Sequence, residues 1–149
     1  MENNQIVDIN HFNNLIPPLA PNSYEIALYN IHKKNNTLLL GYTKQLIKLS
    51  NESMDINPPV GSNTIKQDWF TINKYYDTII GDGVLNLTGG ELVYYLSKWC
   101  SRLIIRFFTK YINGMKYATY FKHNTSFLLP DQTIHTQESC VILIWDFKI

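Results

Sequence analysis

The stretch 65–108 constrains the fold more than any other part of the chain. It holds three short apolar runs bounded by turn residues or polar positions. The first ends in Gln67-Asp68-Trp69, the second is Thr78-Ile79-Ile80 followed by Gly81-Asp82-Gly83, and the third is Leu103-Ile104-Ile105. Continuous apolar runs of this length suit strands covered on both faces. Between the second and third runs, Leu92, Val93, Leu96 and Trp99 recur at three- and four-residue spacing, which predicts a helix over 91–99. Strand, helix, strand is the parallel crossover unit, and sheets built from it bind ligands outside the carboxyl ends of their strands. Asp68 and Asp82 both stand at such ends.

Upstream the same unit recurs. Thr37-Leu38-Leu39-Leu40 reads as a strand, Gly41-Tyr42-Thr43 as its turn, 44–50 as a helix and 53–56 as a second strand carrying Asp55 at its tip. The expected fold is therefore an α/β, doubly wound, mostly parallel sheet with helices on both faces. Its strands are expected at 37–40, 53–56, 63–66, 78–81 and 103–107, with Ile79, Ile80, Ile104 and Ile105 in the core. A helix is expected over 24–33, with Ser23 as N-cap and Ile26, Ala27 and Ile31 as a weak apolar stripe. In the tail, 126–129 and 140–147 read as an antiparallel C-terminal pair around a Pro130-Asp131 turn, and 111–122 is aromatic and basic. At 149 residues the chain is expected to be an irregular, Asn-rich arm over 1–23 and a single domain over 24–149.

The candidate site residues follow from strand ends. The turn after the first strand keeps one glycine, Gly41, where a dinucleotide fingerprint needs three for a pyrophosphate. That argues against NAD or FAD, but not against a nucleoside ligand without phosphate, such as S-adenosylmethionine. Asp55 is either a solvated loop acid or a carboxylate placed to accept both ribose hydroxyls, and its place at a strand tip favours the second. Asp68-Trp69 is either a helix cap with a core aromatic or a pair that takes the amine and the face of adenine. Asp82 lies between two glycines that permit close ligand approach, and it is the one candidate general base. Gly41, Asp55, Asp68 and Asp82 are expected to surround one cleft.

Composition narrows the classes. The formal charge of +1 supplies no global field for nucleic acid or an anionic membrane. Cys100 and Cys140 match neither zinc nor redox spacing, which leaves two reduced thiols and no metal site. No run approaches the ~20 apolar residues of a membrane span. The segment MENNQIVDIN lacks the basic and apolar regions of a signal peptide, so a cytoplasmic protein is expected. His123 and His135 read as loop or surface residues.

The runs TLLLGYTKQL, SMDIN, IKQDWFTI, YYDTIIGDGVLNL and LSKWCSRLIIRFF resemble the class I, Rossmann-like S-adenosylmethionine-dependent methyltransferases, in a short form. The likeness spans 37–108. It is nearest to a branch whose first loop reads Gly-Val-Thr-Pro-Glu-Leu, with Gly-Asp-Trp after the third strand and Gly-Asp-Gly after the fourth. Tyr42, Lys44 and Gln45 depart from that first loop, Gln67 from the glycine before Asp68, and 99–102 lacks a Pro-Gly-Gly turn. The resemblance implies a transferase with S-adenosylmethionine as cofactor. It implies Gly41 and Thr43 beside the cofactor's amino-acid end, Asp55 at the ribose, Asp68 and Trp69 at the adenine, and Gly81, Asp82 and Gly83 in the active-site loop. The expected reaction is methyl transfer to a small-molecule acceptor, with no nucleic-acid or membrane partner. The alternative is a non-catalytic nucleoside-binding module with a reduced substrate region.

Overall fold

The computed structural model describes residues 8–111 and 128–147. Among them the strands form one seven-stranded sheet in the order β3-β2-β1-β4-β5-β7-β6. These are β1 (Thr37–Leu40), β2 (Glu52–Asp55), β3 (Ile65–Lys66), β4 (Tyr76–Asp82), β5 (Cys100–Phe108), β6 (Gln132–Gln137) and β7 (Cys140–Asp146). The first five run parallel; β7 is antiparallel to β5, and β6 to β7. The expected mostly parallel, doubly wound sheet with an antiparallel C-terminal pair is thus the observed one.

Helices cover both faces. On one side α4 (Val84–Thr88) and α5 (Glu91–Leu96) bury Val84, Leu85, Leu92, Val93 and Leu96 against Leu38, Ile79, Leu103 and Ile105. On the other, α2 (Ser23–His32) and α3 (Lys44–Ile47) bury Leu28, Tyr29 and Leu46 against Leu39, Ile80 and Ile104. The period-2 alternation of β1, β4 and β5 feeds both layers, which is why these strands read as unbroken apolar runs. Ile79, Ile80, Ile104 and Ile105 are fully buried, as expected. Ile80→Val or Ile104→Val removes one methylene from a closed core, and each is expected to cost about 0.5–1.5 kcal/mol in urea unfolding.

Three expectations change. The helix α2 is capped by Asn22, not Ser23: the Asn22 side chain accepts from the Glu25 amide at 2.8 Å and Glu25 accepts from the Asn22 amide at 2.9 Å, a reciprocal capping box. Its inward face is Glu25, Leu28 and Tyr29, while Ile31 is exposed, because Glu25 has a buried cation to meet. Of the strand expected at 126–129, residues 126 and 127 lie outside the described residues and Leu128 and Leu129 carry no strand; the strand that pairs with β7 at the edge is β6, Gln132–Gln137. An edge strand pairs on one side only, so QTIHTQ needs no apolar run. Residues 112–127, with His123 and most of the aromatic and basic segment, lie outside the described residues. His135 sits on β6 and is exposed.

A short helix, α1 (Ile9–Asn13), precedes α2 and is capped by the Asp8 carboxylate. Cys100 and Cys140 are free and buried, and burial pushes the Cys100 thiol up to about 12, which makes it inert at neutral pH. No helix is long and apolar enough to cross a membrane among the described residues.

Candidate functional site

The parallel strands bring Gly41, Asp55, Asp68 and Asp82 to one edge of the sheet, at the carboxyl ends of β1 to β4. They do not surround one cleft there. Two cavities that share no lining residue divide the edge between them.

The first has a volume of about 220 Å³ and is lined by Asp55, Ile56, Asp68, Trp69, Phe70, Leu87 and Thr88. Its rim is apolar and open: Ile56 is 62% exposed and Leu87 80%. Exposed apolar groups clustered at a concave site are what a planar apolar ligand would cover. Asp55 projects into this cavity half-buried. It accepts a long 3.4 Å bond from the Asn57 amide, and no cation pairs with it among the described residues. Burial pushes its carboxyl above the ordinary range. Asp68 is exposed and accepts from the Phe70 amide at 3.0 Å, capping the short 3-10 turn Trp69–Thr71. The cap reading of Asp68 therefore holds locally, and one carboxylate oxygen is already engaged. The Trp69 indole donates to the Met54 carbonyl at 2.7 Å.

The second cavity, about 130 Å³, lies on the other side of the β1 end. Tyr42, Thr43, Gln45 and Asp82 form its floor, and Phe12, Leu15, Leu19 and Ala20 its roof. The roof is held by the Tyr42 hydroxyl, which donates to Asn13 at 2.8 Å, and by an edge-to-face contact of Phe12 with the Tyr42 ring.

Asp82 faces this cavity with its side chain only 6% exposed, because a buried arginine grips it. Arg106, on β5, donates through Nε at 2.6 Å and through Nη2 at 2.9 Å to the two Asp82 oxygens. The same guanidinium donates to Glu25 at 3.1 Å and to the Leu19 carbonyl at 3.3 Å. Glu25 also accepts from Thr136 and Gln137, and the Tyr29 hydroxyl donates to the Gly81 carbonyl while accepting from the Arg106 amide. Burial pushes the Asp82 carboxyl up, against the opposing pull of Arg106. The Arg106 guanidinium is itself held above its ordinary value by Asp82 and then Glu25, which outweigh its burial.

The glycines separate by role. Gly41 has φ +80° and Gly83 φ +71°, conformations that favour glycine. Gly81 lies inside β4, where a Cβ would come within 3.1–3.2 Å of Val84 and Ile105, so its lack of a side chain serves packing. Gly41 and Gly83 line neither cavity. Sequence reasoning missed Glu25, Tyr29 and Arg106. The available signal was a charged residue inside the run Leu103-Ile104-Ile105-Arg106-Phe107-Phe108, since a charge on a buried strand requires a partner. Among the described residues no group of His, Cys, Asp and Glu is arranged to hold a metal ion.

No protein-family model matches the sequence, and no curated protein matches it. Solved structures do match. An rRNA methylase from Escherichia coli superposes with a TM-score of 0.53 at 11% identity, covering 82% of this chain and 61% of that one. The fibrillarin pre-rRNA processing protein of Methanococcus jannaschii gives 0.51 at 12% identity, covering 85% and 76%. A 16S rRNA N2 G1207 methyltransferase of T. thermophilus, in complex with AdoMet and guanosine, gives 0.50 at 9% identity, covering 83% of this chain and 38% of that one. With the strand order above, these likenesses establish that the chain has the fold of the class I S-adenosylmethionine-dependent methyltransferases.

Proposed function

We propose that the chain binds S-adenosylmethionine across the carboxyl edge of its sheet and transfers the methyl group to a small-molecule acceptor. The observation that carries this is Asp55: a half-buried carboxylate with no cation among the described residues, beside an open cavity with an apolar rim. This half-buried carboxylate accepts from the backbone amides of Ile56 and Asn57, and a carboxylate has room for more than two such bonds. Two ribose hydroxyls would use that capacity, with the purine against Ile56, Phe70 and Leu87.

The second cavity suits the amino-acid half. Two carboxylates, Asp82 and Glu25, share one guanidinium, so the cluster has a formal excess of negative charge next to a space of about 130 Å³. An ammonium group would balance it. When bound, the cofactor supplies a methyl already activated by a sulfonium, so the protein's task is alignment. Arg106 fixes the Asp82 carboxylate in one orientation, and Tyr29 ties together the Gly81 backbone just before it and the Arg106 backbone on the neighbouring strand. Thr43 and Gln45 border the same space. Asp55 and Asp68 line the first cavity and Asp82 the second, and these carboxylates support a small-molecule acceptor over a polyanion.

Asp82 remains the candidate base, but its engagement with Arg106 supports a second reading, a nucleoside-binding module without catalysis. Both Asp82 oxygens already accept from the guanidinium, so taking a proton from an acceptor would cost an ionic hydrogen bond. The test is calorimetry with S-adenosylmethionine, S-adenosylhomocysteine and NAD, followed by methyl-transfer assays on a panel of amines and alcohols. Binding of the first two and not NAD is the expected result. Binding without turnover on the whole panel favours the module, and binding of none removes both readings.

A further inference from the structure

β1 lies between β2 and β4 in the sheet, so Gly41 at its end stands between Asp55 of the first cavity and Asp82 of the second. A glycine at φ +80° normally leaves its backbone open to close approach. Here the Trp69 indole packs beside it: Cζ2 is 3.7 Å from the point where a Cβ on Gly41 would stand, a van der Waals contact. The indole is tied down by its 2.7 Å bond to the Met54 carbonyl. That carbonyl also accepts the Gly41 amide at 2.7 Å, so it keeps a partner when the indole leaves. Losing the indole bond therefore orphans no buried acceptor. A ligand confined to the first cavity meets Trp69 as a wall. A ligand that reaches both Asp55 and Asp82 has to pass over Gly41 and meets it as an obstacle.

We propose that Trp69 sets the length of ligand the site admits: adenosine enters with the indole in place, whereas S-adenosylhomocysteine or S-adenosylmethionine requires the indole to leave Gly41 and Met54 so that the two cavities become one. The inference rests on the nucleoside-binding reading above and adds a specificity-determining residue to it. The indole bond has a direct readout, the Trp69 Nε1–H proton resonance, which is distinguished from those of Trp99 and Trp145 by its loss in Trp69→Phe. Adenosine is expected to leave that proton slow to exchange with solvent. S-adenosylhomocysteine is expected to shift it and open it to exchange. In Trp69→Ala both ligands lose a packing surface but only the longer one loses an obstacle, so the ratio of S-adenosylhomocysteine affinity to adenosine affinity should rise about tenfold, a change of about 1.4 kcal/mol. Trp69→Phe, which keeps a ring without the N–H, should raise it less. If Trp69→Ala fails to fold, the wild-type resonance and Trp69→Phe decide. S-adenosylhomocysteine binding with the indole bond intact, or an unchanged ratio, overturns the role of Trp69 and leaves the nucleoside site standing. A wild type that binds neither ligand overturns the nucleoside reading itself.

Discussion

Arg106→Met is expected to destabilise the protein by about 3–5 kcal/mol, because it strips the counter-charge from two carboxylates and leaves them buried. The Arg106 and Glu25 side chains are fully buried and Asp82 nearly so. Glu25 would keep Thr136 and Gln137 as donors; Asp82 would lose both guanidinium bonds. The loss should depend on pH with a definite sign. An unpaired buried carboxyl titrates above its unfolded value of about 4, so the folded variant binds a proton that the unfolded chain has released. Its stability then falls as pH rises from the unfolded value through the raised folded one. Urea unfolding should find the variant closest to wild type in acid and furthest from it at neutral pH. Arg106→Lys should fall between the two, since an ammonium cannot make the two-pronged contact with Asp82. A methionine variant as stable as wild type at neutral pH would show that the cluster adds nothing to stability.

The contrast between Arg106 and its surroundings explains how much could be read from the sequence. β1, β4 and β5 were legible because burial on both faces writes itself as an unbroken apolar run, and crossover geometry then orders the strands. Their strand ends gave the positions of Asp55, Asp68 and Asp82 along the carboxyl edge. β6 was hidden because one exposed face and a single partner permit a polar strand. The inward face of α2 was hidden for a different reason. Glu25 is buried against Arg106, 81 residues away, and against Thr136 and Gln137 further along the chain, and no local periodicity encodes contacts at those distances. The single cleft expected from four strand ends fails on a side-chain orientation: the sequence puts Trp69 beside the adenine face, and its indole also reaches Gly41. Pattern reads which face a residue occupies, not where a large side chain comes to rest.

Asp55→Ala should weaken the binding of S-adenosylmethionine and S-adenosylhomocysteine about equally, since both carry the ribose that the carboxylate is proposed to hold. Hydrogen bonds to a charged group contribute ~1.5–3 kcal/mol, which corresponds to a loss of about tenfold to more than a hundredfold in affinity. Asp55→Asn keeps the shape and one acceptor oxygen but not the charge, so a smaller loss is expected. Because burial raises the Asp55 carboxyl, wild-type affinity should decline on acidification at a pH above that of an ordinary aspartate, as the acceptor becomes protonated. The alanine variant has no such group and should lose that component of the profile. The removal also relieves a half-buried carboxylate of its partial desolvation, so the apo variant should be no less stable than wild type. Affinity that falls while stability holds separates a ligand-binding acid from a structural one. Calorimetry across pH and urea unfolding, carried out on the same two proteins, measure both quantities. If affinity for both cofactor forms is unchanged in Asp55→Ala, the ribose does not lie at the end of β2.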